Sequence, residues 1–161
     1  MKTIILMRHG KSSWEYGVSD KDRPLKERGI NDAHLIAQKF KKEGVRIDFA
    51  YSSLGNRALH TAIIALRNLD HDFEKFRVTE NLYDFSGESV QNHVKNLDDN
   101  LNTVMIFGHN HAFTSLANLW GNQYIDNVPT SGLVQIEFSG REWKSISKGK
   151  TILTLFPKHF K

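Results

Sequence analysis

The chain contains no cysteine. That excludes disulfides, thiolate nucleophiles, iron–sulfur clusters and cysteine-ligated zinc. Only three prolines occur among 161 residues (Pro24, Pro129, Pro157), and they are scattered, so there is no proline-rich linker or recognition tract. Long apolar runs are missing too. The run nearest the N-terminus, Ile4 to Met7, is far too short to cross a membrane or to serve as the core of a secretion signal. Charge of one sign is scarce: 22 Lys and Arg stand against 18 Asp and Glu, a net of +4. That excess is not in itself a nucleic-acid footprint. These absences give the expectation of a cytoplasmic protein with neither a membrane nor a nucleic-acid partner.

What is present is an ordinary globular balance. Hydrophobic residues make up 39% and charged residues 25%, which argues against disorder. At roughly 150 residues per domain the whole chain, 1–161, reads as one domain. Short β-rich runs alternate with longer helical ones. Thr3 to Met7 suits a strand buried on both faces. Pro24 opens a helical stretch to Glu43, with Ile30, Ala33, Ala37 and Phe40 at helical spacing, although Gly29 weakens its first turn. Arg46 to Ser52 is a second strand and Leu54 to Leu69 a second helix. Phe76 to Leu82 is a short third strand, Glu88 to Leu97 a third helix, and Asn102 to Phe107 a fourth, buried strand. Ala112 to Trp120 is helical. Two β-rich runs close the chain, Gly132 to Phe138 and Trp143 to Phe156, which predict a hairpin at one end of the sheet.

Strand and helix in alternation predict an α/β fold, a mainly parallel sheet flanked by helices on both faces. Ligands bind such sheets beyond the carboxyl ends of the strands. The first strand is followed by Arg8-His9-Gly10-Lys11-Ser12, the second by Ser52-Ser53-Leu54-Gly55-Asn56-Arg57, the fourth by Gly108-His109-Asn110. Arg-His or Gly-His after a single strand is commonplace. Their convergence on one sheet edge is not. Guanidinium groups bind phosphate oxygens through paired hydrogen bonds and keep their charge, so Arg8 and Arg57 around one point make an anion site. An imidazole there can act as a nucleophile, being partly neutral at pH 7. The second imidazole can donate a hydrogen bond to a phosphoryl oxygen.

These segments resemble the histidine phosphatase superfamily, the phosphoglycerate-mutase-like fold. Arg8-His9-Gly10 resembles its signature, Ser52-Ser53 with Arg57-Ala58 and Thr61 its second-arginine segment, and Gly108-His109-Asn110 its second-histidine segment. The short length, Asp22-Arg23-Pro24-Leu25 with Gly29, and Leu82-Tyr83 after Glu80 most resemble the SixA type, small phosphohistidine phosphatases. The resemblance implies that His9 attacks phosphorus and is transiently phosphorylated, while Arg8, Arg57 and His109 bind the phosphoryl oxygens. Ser12 and Glu15 stand where larger relatives often carry Thr and Asn. Ser12 is expected to donate a hydrogen bond, and Glu15 to point away from an anion it would repel. In larger relatives a carboxylic acid protonates the leaving oxygen. Glu80 is the first choice for that role, with Asp84 and Asp22 as alternatives, whereas SixA-type proteins are generally thought to lack an obvious acid in the usual place.

The implied activity is a metal-independent phosphatase without cofactor, acting on a phosphorylated protein. The alternatives are a small-metabolite phosphomonoesterase or mutase, for whose lid insertions few residues remain, and a non-catalytic phospho-binding module, which would need no nucleophile. His109-Asn110-His111 has the spacing of a metal pair, but no acid or further histidine lies at a helpful distance in sequence. Trp14 and Tyr16 are expected to wall the pocket. The basic residues after Gly140 read as a solvated hairpin face.

Overall fold

Ile4 to Met7 form the middle of β1 (Lys2–Arg8) and are wholly buried. Alternate residues of this strand enter different cores. Ile4 and Leu6 join one apolar cluster, Ile5 and Met7 the other. The computed structural model describes all residues, 1–161. The remaining elements are α1 (Glu27–Lys41), β2 (Phe49–Ser53), α2 (Asn56–Asn68), β3 (Phe76–Thr79), α3 (Glu88–Lys95), β4 (Thr103–Gly108), α4 (Ala112–Trp120), β5 (Leu133–Phe138) and β6 (Lys150–Leu155). They build one six-stranded sheet in the order β3-β2-β4-β1-β5-β6. β3, β2, β4 and β1 run parallel to one another, β5 is antiparallel to β1, and β6 returns antiparallel to β5. Ala33, Ile36, Ala37 and Phe40 of α1 and Ala62 and Ala65 of α2 cover one face. Val90 and Val94 of α3 and Phe113, Leu116 and Trp120 of α4 cover the other. A run buried on both faces is why β1 and β4 read as continuous apolar segments and not as alternating ones. No helix is long and apolar enough to cross a membrane.

Several boundaries differ from the sequence pattern: β2 starts at Phe49, not Arg46, α1 ends at Lys41, not Glu43, and three further shifts have a local cause. The first helix starts at Glu27, not Pro24. Leu25 pairs with Ser12 in an isolated antiparallel bridge, and Lys26 N–H donates to the Lys11 carbonyl, so this stretch stays extended. β3 ends at Thr79, where the Thr79 hydroxyl accepts from Asn81 N–H and a 3-10 turn, Glu80–Leu82, takes over. Trp143 is not in a strand. It opens a 3-10 turn, Trp143–Ser145, and is fully buried. Its main-chain N–H donates to the Asp99 carboxylate and its indole N–H to the Leu101 carbonyl, which draws it off the hairpin and under the α3–β4 connection.

Gly29 has a specific reason to interrupt a helix. The loop leaving β1 crosses the first turn of α1 so closely that a Cβ on Gly29 would fall inside contact distance of the Lys11 main chain. A Cβ on Gly10 would meet the Gly29 carbonyl oxygen at 2.6 Å. On helix propensity alone, Gly29→Ala would stabilise by about 1 kcal/mol. The crossing reverses the sign. Gly29→Ala is expected to destabilise by about 1–3 kcal/mol, the usual cost of overpacking, in chemical denaturation. Gly17→Ala, where a Cβ meets nothing within 4 Å, is expected to stay within about 0.5 kcal/mol.

Candidate active site

Three parallel strands end side by side. Arg8 lies level with Gly108 across the β1–β4 pair, and Ser52 with Phe107 across β2–β4. His9 N–H donates to the Gly108 carbonyl at 3.1 Å, which carries the register one residue past the strand. The His9 and His109 rings therefore stand 5.4 Å apart, centroid to centroid. Arg57 enters from the first turn of α2, and its Nε–H points at His9 Nε2 at 3.4 Å. All three side chains are buried. A cleft of about 290 Å³ opens beside them, lined among others by Arg8, His9, Ser12, Asp20, Arg23 and Arg57. A larger groove of about 660 Å³ runs along α3, but no Lys or Arg lines it, so an anion belongs in the smaller cleft.

Hydrogen bonds decide which atoms are free. His9 Nδ1 lies 2.7 Å from the Gly10 carbonyl. A carbonyl only accepts, so Nδ1 carries the proton and Nε2 keeps its lone pair, facing Arg57. Thr61 links the two pieces: its hydroxyl accepts from Gly10 N–H at 2.9 Å and donates to the Arg57 carbonyl at 2.7 Å. Ser53 Oγ accepts from Gly55 N–H and lies 2.8 Å from His109 Nε2. The opposite nitrogen of His109, Nδ1, is buried and has no partner. Arg8 donates through Nη1 to the Val128 carbonyl at 2.9 Å, and its Nε is likewise buried without a partner. An orphaned guanidinium N–H and an unpartnered imidazole nitrogen, beside the free Nε2 of His9, are what a phosphoryl group would engage.

The structure brings together Arg8, His9, Ser12, Arg57 and His109. It does not bring Glu80 with them. Glu80 is exposed and makes no hydrogen bond or ion pair with a cleft residue. The reason is local: in the turn after β3 it is Leu82 that is buried, and Glu80 faces out. Asp84 is committed elsewhere, accepting from the main-chain N–H groups of Ser86, Gly87 and Val90 at the start of α3. Asp22 is exposed and accepts from Ser19. Glu15 and Tyr16 are also exposed and lie outside the cleft lining, whereas Trp14 lines it. His111 is exposed, and no three metal-binding side chains cluster anywhere.

Sequence reasoning missed Asp20, Arg23, Phe85 and Thr130 in the cleft lining, and of these the first two are charged. Arg23 donates to Ser12 Oγ at 2.6 Å and to the Ser13 carbonyl at 3.1 Å, with its guanidinium stacked 3.3 Å from the Trp14 ring centroid. Asp20, in the 3-10 turn Asp20–Asp22, accepts from Arg57 and Tyr83. The available signal was the Asp20-Lys21-Asp22-Arg23 run itself, but the run does not say which of its acids turns inward.

Burial pushes His9 down to about 3, and the charges of His109, Arg57 and Arg8 act in the same sense. His109 also falls to about 3, through burial and then Arg57. Burial lowers Arg8 as well, with Arg57 adding to it. Partial burial raises the Asp20 carboxyl, but hydrogen bonds from Tyr83 and Arg57 outweigh that and hold it at about 2. Both imidazoles are therefore neutral, and Asp20 ionised, well below pH 7. For kcat/KM on p-nitrophenyl phosphate, allowing for the ionisation of the substrate, the expected profile is flat from pH 7.5 to 5. An acid limb centred near 6.5, the ordinary imidazole value, would contradict this site.

Residues 4–99 match the profile of the histidine phosphatase superfamily (branch 1). An uncharacterized protein of Mycobacterium tuberculosis (strain ATCC 25618 / H37Rv) is 28% identical over 160 residues, which cover 93% of this chain and 98% of that protein. A 2,3-bisphosphoglycerate-dependent phosphoglycerate mutase of Gloeothece citriformis is 44% identical over 71 residues, covering 41% of this chain and 30% of the mutase. In fold, the chain is similar to the protein histidine phosphatase SixA complexed with tungstate, with a TM-score of 0.84 and 21% identity over 99% of both chains. A SixA from Agrobacterium tumefaciens, itself described as a putative phosphohistidine phosphatase, gives 0.78 and 23% identity over 96% of this chain and 97% of its own. The chain belongs to the histidine phosphatase superfamily, branch 1, as a phosphatase with a SixA-like, phosphoglycerate-mutase-like fold.

Proposed function

We propose that this protein is a metal-independent phosphohistidine phosphatase that acts on a phosphorylated protein through phospho-His9. His9 Nε2 attacks phosphorus and the N–P bond of the substrate breaks, releasing its imidazole. Arg8, Arg57 and His109 hold the phosphoryl oxygens as charge shifts onto them. Water then attacks phospho-His9, orthophosphate leaves, and His9 recovers its lone pair. Ser12 and Arg23 border the phosphoryl group from the loop side.

One observation carries the choice of substrate. The only carboxylate lining the cleft is Asp20, and it is held ionised. It cannot protonate a departing group. An alkyl phosphate releases an alkoxide, whose conjugate acid has a pKa of roughly 16, close to that of water. Phosphohistidine releases an imidazole of pKa about 6.5, which leaves neutral once its ring is protonated from solvent. The exposed aromatic side chains of Trp14 and Phe85 at the cleft suit an open site that meets a folded partner.

The test is turnover of a phosphohistidine protein beside alkyl and sugar phosphates. General acid catalysis contributes about 10²–10⁴-fold, so kcat/KM is expected to favour the P–N substrate over an alkyl phosphate by at least about 10²-fold. A preference for a sugar phosphate would move the function to the metabolite phosphatases or mutases.

His9→Ala is expected to abolish both turnover and an acid-labile phosphoenzyme trapped by rapid quench. Arg57→Ala and His109→Ala are each expected to lose about 10²–10³-fold in kcat while staying folded. A rise in KM alone would reduce them to ground-state ligands. The guanidinium groups supply the positive charge that a magnesium ion would otherwise bring, so activity is expected to survive exhaustive chelation.

A further inference from the structure

We propose that Asp20 sets how tightly the cleft holds phosphate: it is a built-in counter-anion on Arg57, which orients that guanidinium toward His9 and lets orthophosphate go. The proposal rests on the reading of Arg57 as a phosphoryl ligand. Arg57 has five N–H donors in a fixed fork. Asp20 takes one from each terminal nitrogen with two different acceptors, its main-chain carbonyl on Nη1 at 2.7 Å and its carboxylate on Nη2 at 3.1 Å. This bidentate hold leaves Nε–H turned to His9 Nε2. One N–H on each terminal nitrogen remains for an incoming anion.

Asp20 is itself fixed from two further directions. Its carboxylate accepts from Tyr83 Oη at 2.6 Å and from Arg23 Nη1 at 3.3 Å. Cations from α2 and from the turn before α1, and a hydroxyl from the loop after β3, thus meet on one carboxylate at the lip of the cleft. Asp84 offers a contrast: its hydrogen bonds go to main-chain N–H groups and the Ser86 hydroxyl, which is what a helix cap needs and nothing more.

The consequence follows from charge. Arg8, Arg23 and Arg57 together would hold a phosphate dianion tightly, and a hydrolase that holds its product turns over slowly. A carboxylate beside the same guanidinium repels that dianion and weakens it in ground state and product alike. Asp20 is a positioning residue here, because it acts through Arg57.

The test is equilibrium titration of inorganic phosphate by calorimetry into the wild type, Asp20→Asn, Arg57→Ala and the double variant, with steady-state kinetics on p-nitrophenyl phosphate. Asp20→Asn keeps the shape, the main-chain carbonyl and one side-chain acceptor for Arg57 and Tyr83, and removes the charge together with the acceptor that faces Arg23. It is expected to bind phosphate about tenfold more tightly, and to lower KM and kcat together. Arg57→Ala is expected to weaken phosphate, and in that background the gain from Asp20→Asn is expected to be smaller than in the wild type. Tyr83→Phe, which removes one hydrogen bond and leaves the charge, is expected to stay within about twofold. Unchanged or weaker phosphate binding by Asp20→Asn, a KM that rises as kcat falls, or a Tyr83→Phe effect as large as that of Asp20→Asn would each overturn the proposal while Arg57 keeps its role. Phosphate binding untouched by Arg57→Ala would overturn the Arg57 reading itself.

Discussion

The register between β1 and β4 is the constraint on which the site depends. Arg8 stands opposite Gly108, so the residues that follow, His9 and His109, leave the sheet at the same level and side by side. A slip of one residue would displace one ring by about 3.3 Å and send its strand's apolar side chains to the wrong face. The apolar residues prevent it. Ile4 and Leu6 belong to one core and Ile5 and Met7 to the other, and each must find its own cluster. The packing of the interior and the alignment of the two histidines are thus one requirement.

The second constraint is desolvation. The cleft gathers three guanidinium groups and buries two imidazoles beside them. Burial and neighbouring positive charge both act against protonating His9 and His109. The same surroundings that suit a phosphoryl anion therefore keep the His9 lone pair available. Gly10 and Ser53 complete the arrangement from outside, the first by taking the Nδ1 proton of His9, the second by engaging Nε2 of His109. In His9 the nitrogen left bare, Nε2, faces Arg57, and in His109 the one left over, Nδ1, has no partner.

Chain crossing is the third. The loop after Gly10 runs over the first turn of α1 at Gly29 and then forms the lip that carries Ser12, Trp14 and Asp20. Two glycines, one on each crossing segment, make that approach possible. The lip is anchored by Arg23, which reaches back to Ser12 and the Ser13 carbonyl.

Local pattern and strand-end position were enough to read the sheet, its helices, and Arg8, His9, Arg57 and His109 from the chain, and the family resemblance added Ser12. Those features repeat at short range: an apolar run of four residues, a helical stripe, a histidine just past a strand. Other features are set by distances across the fold. Glu80 looked like the acid because it follows a strand, but the turn buries Leu82 and leaves Glu80 outside. Asp20 reaches Arg57, 37 residues along, and Tyr83, 63 along, pairings that no local spacing encodes. Trp143 left the hairpin for a carboxylate and a carbonyl on the α3–β4 connection. Gly29 looked like a flaw in a helix until the loop that passes over it was in view. The sequence by itself determined which strands exist and what chemistry stands at their ends, because periodicity and strand termini are local. Only the tertiary structure decided which acid lines the cleft beside Arg57, because that depends on how turns from distant parts of the chain are aimed at one another.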